Sequence, residues 1–235
     1  MIIIPAHNEA ASIGRLLREL KRLHLPWEVV VVDNNSHDQT SLFANKYGAT
    51  VLRETRAGYS AALLCGYRYA VQQSANLVVQ MDADGQHSPW EIRQLVGRLD
   101  SADWVIGSRH KTGTAGTLFR RAGSGFVGQM ARWCGVGALY DLSSGFWAFN
   151  RSVLSFFVNN FPETVDANLR LRATQYGFRL VETSVEMHER KTGQSMHEGL
   201  TGLYSGFVST MALLRDYSSQ APSSARTNDT SLSDI

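Results

Sequence analysis

The sequence predicts an α/β fold, with a mostly parallel central sheet and helices on both faces. Three observations carry this. Short apolar runs alternate with segments of helical period through the first half of the chain. The runs at 29–32 and 77–79 are unbroken Val and Leu, as expected of strands buried on both faces. Three runs lead into polar clusters, His7-Asn8-Glu9, Asp33-Asn34-Asn35-Ser36 and Asp82-Ala83-Asp84. Open α/β sheets bind ligands beyond the carboxyl ends of their strands, so one sheet edge is expected to hold a site.

The elements follow in order. Residues 2–5 read as the first strand. Residues 10–23 place Ile13, Leu16, Leu17, Leu20 and Leu23 at helical spacing. Strands are expected at 29–33, 50–53, 76–82 and 104–107, and helices at 40–47, 58–73 and 89–99. The second half is less regular. It suggests helices at 118–136 and 165–176, and strands at 146–150 and 179–187. A stripe of Leu200, Leu203, Tyr204, Phe207, Met211 and Leu214 marks an amphipathic helix over 199–215. The last stretch, 218–235, is rich in Ser, Thr, Asp and Asn and reads as a disordered polar tail. One domain over 1–217 accounts for the rest.

Composition narrows the class. The chain has 235 residues, 43% hydrophobic and 19% charged, which suits one globular domain. A formal charge of +2 gives no overall basic excess pointing to nucleic acid. Cys65 and Cys134 form no CxxC pattern and read as packing cysteines of a reducing compartment. Residues 1–5 lack the features of a signal peptide. The uncharged stretch 199–214 is too short and too rich in Gly, Ser and Thr to span a bilayer.

Three segments carry chemistry. In Met81-Asp82-Ala83-Asp84-Gly85-Gln86-His87 two carboxylates follow a buried strand, and strand alternation is expected to put them on one side. Their mutual repulsion invites a cation, and oxygen ligands suit Mg²⁺ or Mn²⁺. Turn chemistry explains many isolated Asp-x-Asp pairs equally well. Residues 104–140 contain no Asp or Glu but hold Arg109, Lys111, Arg120, Arg121 and Arg132 among glycines and serines. This is the composition of a phosphate cradle, or of a solvated basic loop. Residues 188–195 bring Arg190, Lys191, Gly193 and Ser195 together in the same way.

Taken in order, these motifs resemble the family 2 glycosyltransferases of the GT-A fold, in particular the dolichol-phosphate mannose synthase and polyprenyl-phosphate glycosyltransferase branch. The resemblance runs from Ile2 to Ser195. It rests on Pro5-Ala6-His7-Asn8-Glu9, on Asp33 with Ser36-His37-Asp38-Gln39-Thr40, and on Asp82-Ala83-Asp84-Gly85-Gln86-His87. It rests also on Gly107-Ser108-Arg109 with Arg120 and Ser124, on Asp141-Leu142-Ser143-Ser144-Gly145-Phe146, and on Arg190-Lys191-Thr192-Gly193-Gln194-Ser195.

The resemblance implies roles. Pro5, Ala6, Asn8, Glu9 and Asp33 line the nucleoside pocket. Asp82 and Ala83 belong to the nucleotide side, Asp82 on the ribose or the metal. Asp84 and Gln86 ligate Mg²⁺ or Mn²⁺. Arg109, Arg120 and Ser124 meet the acceptor phosphate or the donor diphosphate, with Ser124 favouring Arg120 over Arg121 for the family's arginine. Arg190 holds the phosphates of the leaving group. Asp141 and Ser144 border the acceptor. Two positions depart from the branch, Met196 where Lys often stands and Asn168 where Glu often stands.

The implied reaction is inverting transfer of a sugar, mannose or glucose, from GDP-mannose or a UDP-sugar to a polyprenyl or dolichyl phosphate. A phosphate acceptor is already anionic and needs no base. A hydroxyl acceptor needs a carboxylate within reach, and this chain has only Asp166 where hydroxyl-using relatives typically carry a Glu-Asp pair. A glycan, lipid or small-alcohol acceptor is the alternative, and a non-catalytic sugar-nucleotide-binding module is another. A dinucleotide-binding oxidoreductase is disfavoured, because Pro-Ala-His-Asn-Glu stands where Gly-x-Gly-x-x-Gly is required. The expected location is cytoplasmic, peripheral at the inner face of the membrane. The 199–215 stripe packs on the core, lies at the membrane surface or docks a membrane partner.

Overall fold

The structure, a computed structural model, describes residues 1–108, 144–161 and 167–188. Its strands are β1 (Ile2–Ala6), β2 (Val29–Asp33), β3 (Thr50–Arg53), β4 (Leu77–Gln80), β5 (Trp104–Ser108), β6 (Trp147–Asn150) and β7 (Leu180–Ser184). Its helices are α1 (Ala10–Arg22), α2 (Thr40–Lys46), α3 (Tyr59–Gln72), α4 (Ile92–Gly97), α5 (Arg151–Asn160) and α6 (Ala167–Gln175). The strands form one sheet in the order β3-β2-β1-β4-β6-β5-β7.

Four of the pairings are parallel, but β6 runs antiparallel to both β4 and β5. Alternation along the strands feeds two cores. Ile3, Val30, Val32, Val78, Trp104, Ile106, Trp147 and Phe149 face α3, α5 and α6. Ile2, Ile4, Val31, Val79, Val105 and Ala148 face α1, α2 and α4. Helix α1 buries Ile13, Leu16, Leu17 and Leu20, and Leu23 follows at its end. Each such side chain contributes about 1.5–3 kcal/mol of burial.

Helix α3 lies close against the sheet. A Cβ on Gly66 would stand 2.6 Å from Ile3 Cγ2 and 3.1 Å from Val32 Cγ2. Helix α5, which the apolar pattern did not reveal, starts directly from β6. Asn150 caps it by accepting a hydrogen bond from the Val153 N–H at 3.1 Å.

Several boundaries differ from the sequence expectation. β4 stops at Gln80, so Asp82 and Asp84 sit in a turn rather than on a strand. Strand alternation therefore does not place them. The expected helix 89–99 is a short α-helix between two 3₁₀ turns. The helix expected at 165–176 is α6, described from Ala167. The expected helices at 118–136 and 199–215, the polar tail 218–235 and Cys134 lie outside the described residues.

Candidate active site

β1, β2 and β4 run in one direction, and their C-terminal ends open on one sheet edge. Ala6 and Asp33 are register partners there, and Asp33 also pairs with Arg53. Two turn systems are built on this edge, one beyond β1 and β2, the other beyond β4.

In the first, Pro5 and Ala6 are buried as the last residues of β1. Asn8 follows with φ of +56°, a left-handed conformation that Asn tolerates. Its N–H donates to Ser36 Oγ at 3.0 Å, and its Oδ1 accepts the His37 N–H at 2.8 Å. That fixes the amide, so Nδ2 donates to His7 Nε2 at 3.0 Å. His7 Nδ1–H then donates to the Asn34 carbonyl at 2.7 Å, which sets the tautomer.

Glu9 opens α1. Its carbonyl accepts the Ile13 N–H at 2.9 Å, its N–H donates to Thr40 Oγ1 at 2.8 Å, and its Oε2 accepts the Ser12 hydroxyl at 2.6 Å.

Asp33 is buried at the end of β2. Burial pushes its carboxyl up. The hydrogen bonds from Ser36 and Ser41, with the Arg53 charge, outweigh that and hold it below the usual aspartate value. The Ser36 N–H donates to Oδ1 at 2.9 Å and the Ser41 hydroxyl donates to Oδ2. Each carboxylate oxygen accepts more than one hydrogen bond, so these bonds do not exhaust the acceptor capacity of Asp33.

Asp38 ties two helix starts together. It accepts the Ala10 N–H at 3.0 Å and the Thr40 N–H at 2.9 Å. Burial raises its carboxyl, and the bonds from Thr40 and Ala10 lower it by more.

Asn34 is buried and joins β2 to the loop before α3. Its Nδ2 donates to Arg56 O at 2.7 Å and to Glu54 O at 3.2 Å. Its Oδ1 accepts the Gly58 N–H at 2.8 Å. Glu54 in turn receives Arg56 through Nε and Nη2, at 3.0 and 2.8 Å.

The second turn system follows β4. The Gln86 N–H donates to Asp84 Oδ1 at 2.9 Å, and Gly85 turns the chain with φ of +78°. A side chain there would also meet the Arg15 guanidinium, 2.7 Å from its Cβ. Asp84 and Gln86 are half-buried, Ala83 is buried, and the Asp82 side chain is 31% exposed.

The Tyr59 hydroxyl donates to Asp82 Oδ1 at 2.9 Å. The Asp82 N–H donates to His87 Nδ1 at 3.0 Å, leaving the His87 proton on Nε2, 3.8 Å from Asp82 Oδ2. The buried His87 ring stacks on Phe146 at 4.9 Å. The described chain ends at His188, whose N–H donates to Gln86 O at 2.8 Å.

Ser144 joins this side through its neighbour. Gly145 packs so tightly that a Cβ on it would lie 2.8 Å from Asp82 Oδ2. The Ser144 side chain is buried, with its Oγ accepting the Phe146 N–H at 3.2 Å. Its carbonyl accepts Trp147 Nε1–H at 2.6 Å and Arg170 Nη2–H at 3.3 Å. Arg170 is itself buried, with its guanidinium carbon 5.6 Å from the Trp147 ring centre.

The structure thus gathers Pro5, Ala6, Asn8, Glu9 and Asp33 at one turn system, and Asp82, Ala83, Asp84 and Gln86 at the other, whereas the Ser144 side chain turns into the protein and only its neighbour Gly145 meets Asp82. Arg109, Arg120, Arg121, Ser124, Asp141 and Arg190 lie outside the described residues. Sequence reading named no role for Asn34, Tyr59, Gln80 or Gly145. Asn34 and Gly145 stood in motifs, and Gln80 is polar inside an apolar run, so three of the four carried a signal.

The donor set suits a hard divalent cation. It consists of two carboxylates and an amide oxygen, all from one turn and all partly exposed. Among the described residues no three His, Cys, Asp or Glu side chains converge to cage a metal. An ion held here takes its remaining ligands from elsewhere, as ions bound with substrate phosphates do.

The comparisons with known proteins bear on the family and the fold. Residues 1–157 match the family described as Glycosyl transferase family 2. The polyprenol monophosphomannose synthase of Mycolicibacterium smegmatis is 31% identical, over 85% of this chain and 81% of its own. The undecaprenyl-phosphate mannosyltransferase of Micrococcus luteus is 29% identical, over 86% of this chain and 89% of its own. Among solved structures, glucosyl-3-phosphoglycerate synthase from Mycobacterium tuberculosis, in complex with Mg²⁺ and uridine diphosphate, superposes with a TM-score of 0.68. The match has 19% identity and covers 94% of this chain and 80% of that one. That likeness establishes the GT-A fold. Motifs, fold and relatives converge, and the chain belongs to glycosyl transferase family 2 and is a glycosyltransferase.

Proposed function

We propose that the protein transfers mannose or glucose, with inversion, from a nucleoside diphosphate sugar to a polyprenyl phosphate, and depends on Mg²⁺ or Mn²⁺. The observation that carries this is the pairing of the two turn systems on one sheet edge. Asp33 and its neighbours offer acceptors to a nucleoside. The Asp82–Gln86 turn offers hard oxygen ligands where a diphosphate follows.

Leaving-group chemistry explains the need for positive charge. Departure of the nucleoside diphosphate concentrates negative charge on its phosphates. A divalent ion on Asp84 and Gln86 supplies Lewis-acid stabilisation of that charge. Arg109, Arg120 and Arg190 are proposed to add fixed positive charge directed at the same phosphates. A lipid phosphate attacks as an existing anion, so no general base is required.

The acceptor class is supported by the relatives, which are named for polyprenol and undecaprenyl-phosphate mannosyl transfer. The metal is supported by the donor set and by the Mg²⁺ bound with uridine diphosphate in the structural neighbour. Among the described residues no helix is long and apolar enough to cross a membrane. We place the enzyme at the cytoplasmic membrane surface, because its acceptor resides there.

The test is transfer from radiolabelled GDP-mannose and UDP-glucose to a short polyprenyl phosphate with Mg²⁺ or Mn²⁺, followed by lipid extraction. Label is expected in the lipid phase, abolished by chelator and lowered about 10²–10³-fold in Asp84→Ala. Label moving only to phosphoglycerate, glycerol or a glycan overturns the acceptor. Full turnover by Asp84→Ala in chelator overturns the metal.

A further inference from the structure

Gln80 is a wholly buried amide at the last position of β4, after Leu77, Val78 and Val79. A buried amide is costly unless its hydrogen-bonding groups are matched. Here they are. The Gln80 Oε1 accepts the Tyr67 hydroxyl, and Nε2 donates to Gly145 O and to Tyr59 Oη, each at 3.0 Å. Tyr59 Oη, having accepted that bond, donates its own proton to Asp82 Oδ1 at 2.9 Å. Every proton therefore points one way, from Tyr67 through Gln80 and Tyr59 to the carboxylate. An ionised carboxylate can only accept, so the chain ends there.

The hydrogen bond between Tyr59 and Asp82 is itself closely flanked. Gly145 lies so near that a Cβ on it would stand 2.8 Å from Asp82 Oδ2 and 2.7 Å from Tyr59 Oη. From below, His87 Nδ1 holds the Asp82 N–H at 3.0 Å. Tyr59 is the first residue of α3, and the residue before it, Gly58, is held by Asn34 beside Asp33. The Asn34 and Tyr59 side chains together thus link the turn that carries Asp33 to the turn that carries Asp82.

We propose that Tyr59, backed by Gln80, is a positioning residue that locks the Asp82 carboxylate in the orientation needed by the metal–nucleotide donor. It touches neither ligand itself and acts through Asp82, as partners of a ligating carboxylate do. The proposal rests on the reading above that Asp82 belongs to the donor site.

The test uses the full chain and Tyr59→Phe, which keeps the ring and removes the hydroxyl. Binding of UDP and GDP with Mn²⁺ is measured by calorimetry, and the Mn²⁺ half-saturation of sugar transfer by kinetics. Tyr59→Phe is expected to weaken Mn²⁺-dependent nucleotide binding and raise the Mn²⁺ half-saturation, each about 3–10-fold. In an Asp82→Ala background the same change is expected to add less than about 2-fold, because the target is gone. Gly145→Ala, whose methyl crowds the Tyr59 hydroxyl and the Asp82 carboxylate together, is expected to reproduce the loss and covers the case in which Tyr59→Phe does not fold.

Unaltered binding and Mn²⁺ dependence in Tyr59→Phe overturns the proposal. So does an equal loss in both backgrounds, which assigns Tyr59 to the stability of α3 alone. Failure of the unsubstituted protein to bind either nucleotide removes the donor-site reading, and this proposal with it. Nucleotide binding that survives in the parent while the Tyr59→Phe effect is missing sinks this proposal only.

Discussion

Asn34→Ala removes the side chain that fastens the loop before α3 to the end of β2. Three hydrogen bonds are lost, to Arg56 O at 2.7 Å, Glu54 O at 3.2 Å and from the Gly58 N–H at 2.8 Å. The backbone bond from Asn34 N–H to Ala6 O at 2.9 Å remains. Arg56 and Gly58 are exposed, so water can replace part of what they lose, and about 1 kcal/mol per bond is appropriate. The sum is about 3 kcal/mol. A chain of this size loses about 2–4 °C of Tm per kcal/mol, which places the drop at about 6–12 °C.

Asn34→Asp sharpens the test. It still accepts from Gly58, but its second oxygen faces two carbonyl oxygens where the amide donated. At neutral pH it is expected to be no more stable than Asn34→Ala. Urea unfolding followed by tryptophan fluorescence, with calorimetry for Tm, measures both. A loss under about 1 kcal/mol for Ala, or an Asp variant as stable as the parent, refutes the reasoning.

Other expectations follow from the same geometry. Gly66→Ala forces a methyl to 2.6 Å from Ile3 Cγ2 and is expected to cost about 1–3 kcal/mol in urea unfolding. Asn150→Ala removes the α5 cap and the bond from Nδ2 to Asp103 Oδ1 at 2.8 Å, with an expected loss of about 1–2 kcal/mol in the same assay. Asp38 has its folded pKa depressed below the ordinary 3.8, so its stabilisation is present above that value and lost as pH falls through the folded one. The stability gap between the parent and Asp38→Asn is therefore widest at neutral pH and closes in acid. A gap that stays constant from pH 7 to pH 3 in urea midpoints removes the carboxylate as its source.

Much of the fold was legible because burial on both faces leaves an unbroken apolar run. Val29–Asp33 and Trp104–Ser108 match the strands expected there to within a residue. Pairing direction is not written into such a run, so the antiparallel setting of β6 could not be read from it. Helix α5 was missed because Val153, Phe156, Phe157 and Val158 make its segment rich in β-branched and aromatic residues. Its signal was Asn150, a capping residue directly before an apolar stripe at Val153, Leu154 and Phe157. At the site, the motif order singled out the Asp82–Gln86 segment, which the structure forms as a turn after β4. Strand alternation was the wrong reason, since Gly85 with its positive φ makes a turn there. Tyr59 and Gln80 are 21 positions apart and meet only once α3 packs on the sheet. No local pattern announces such a meeting.

The antiparallel placement of β6 has a consequence for how the carboxylate turn is kept in place. β6 is bonded to β4 on one side and to β5 on the other, with Trp147 opposite both Gln80 and Ile106 and the Gly107 N–H bonded to Phe146 O at 2.8 Å. Gly145, two residues before Trp147, lies against the Asp82 carboxylate. Sliding β6 along its axis would break both pairings at once and drive Gly145 into or away from Asp82, so this one reversed strand keys the turn to two neighbours together.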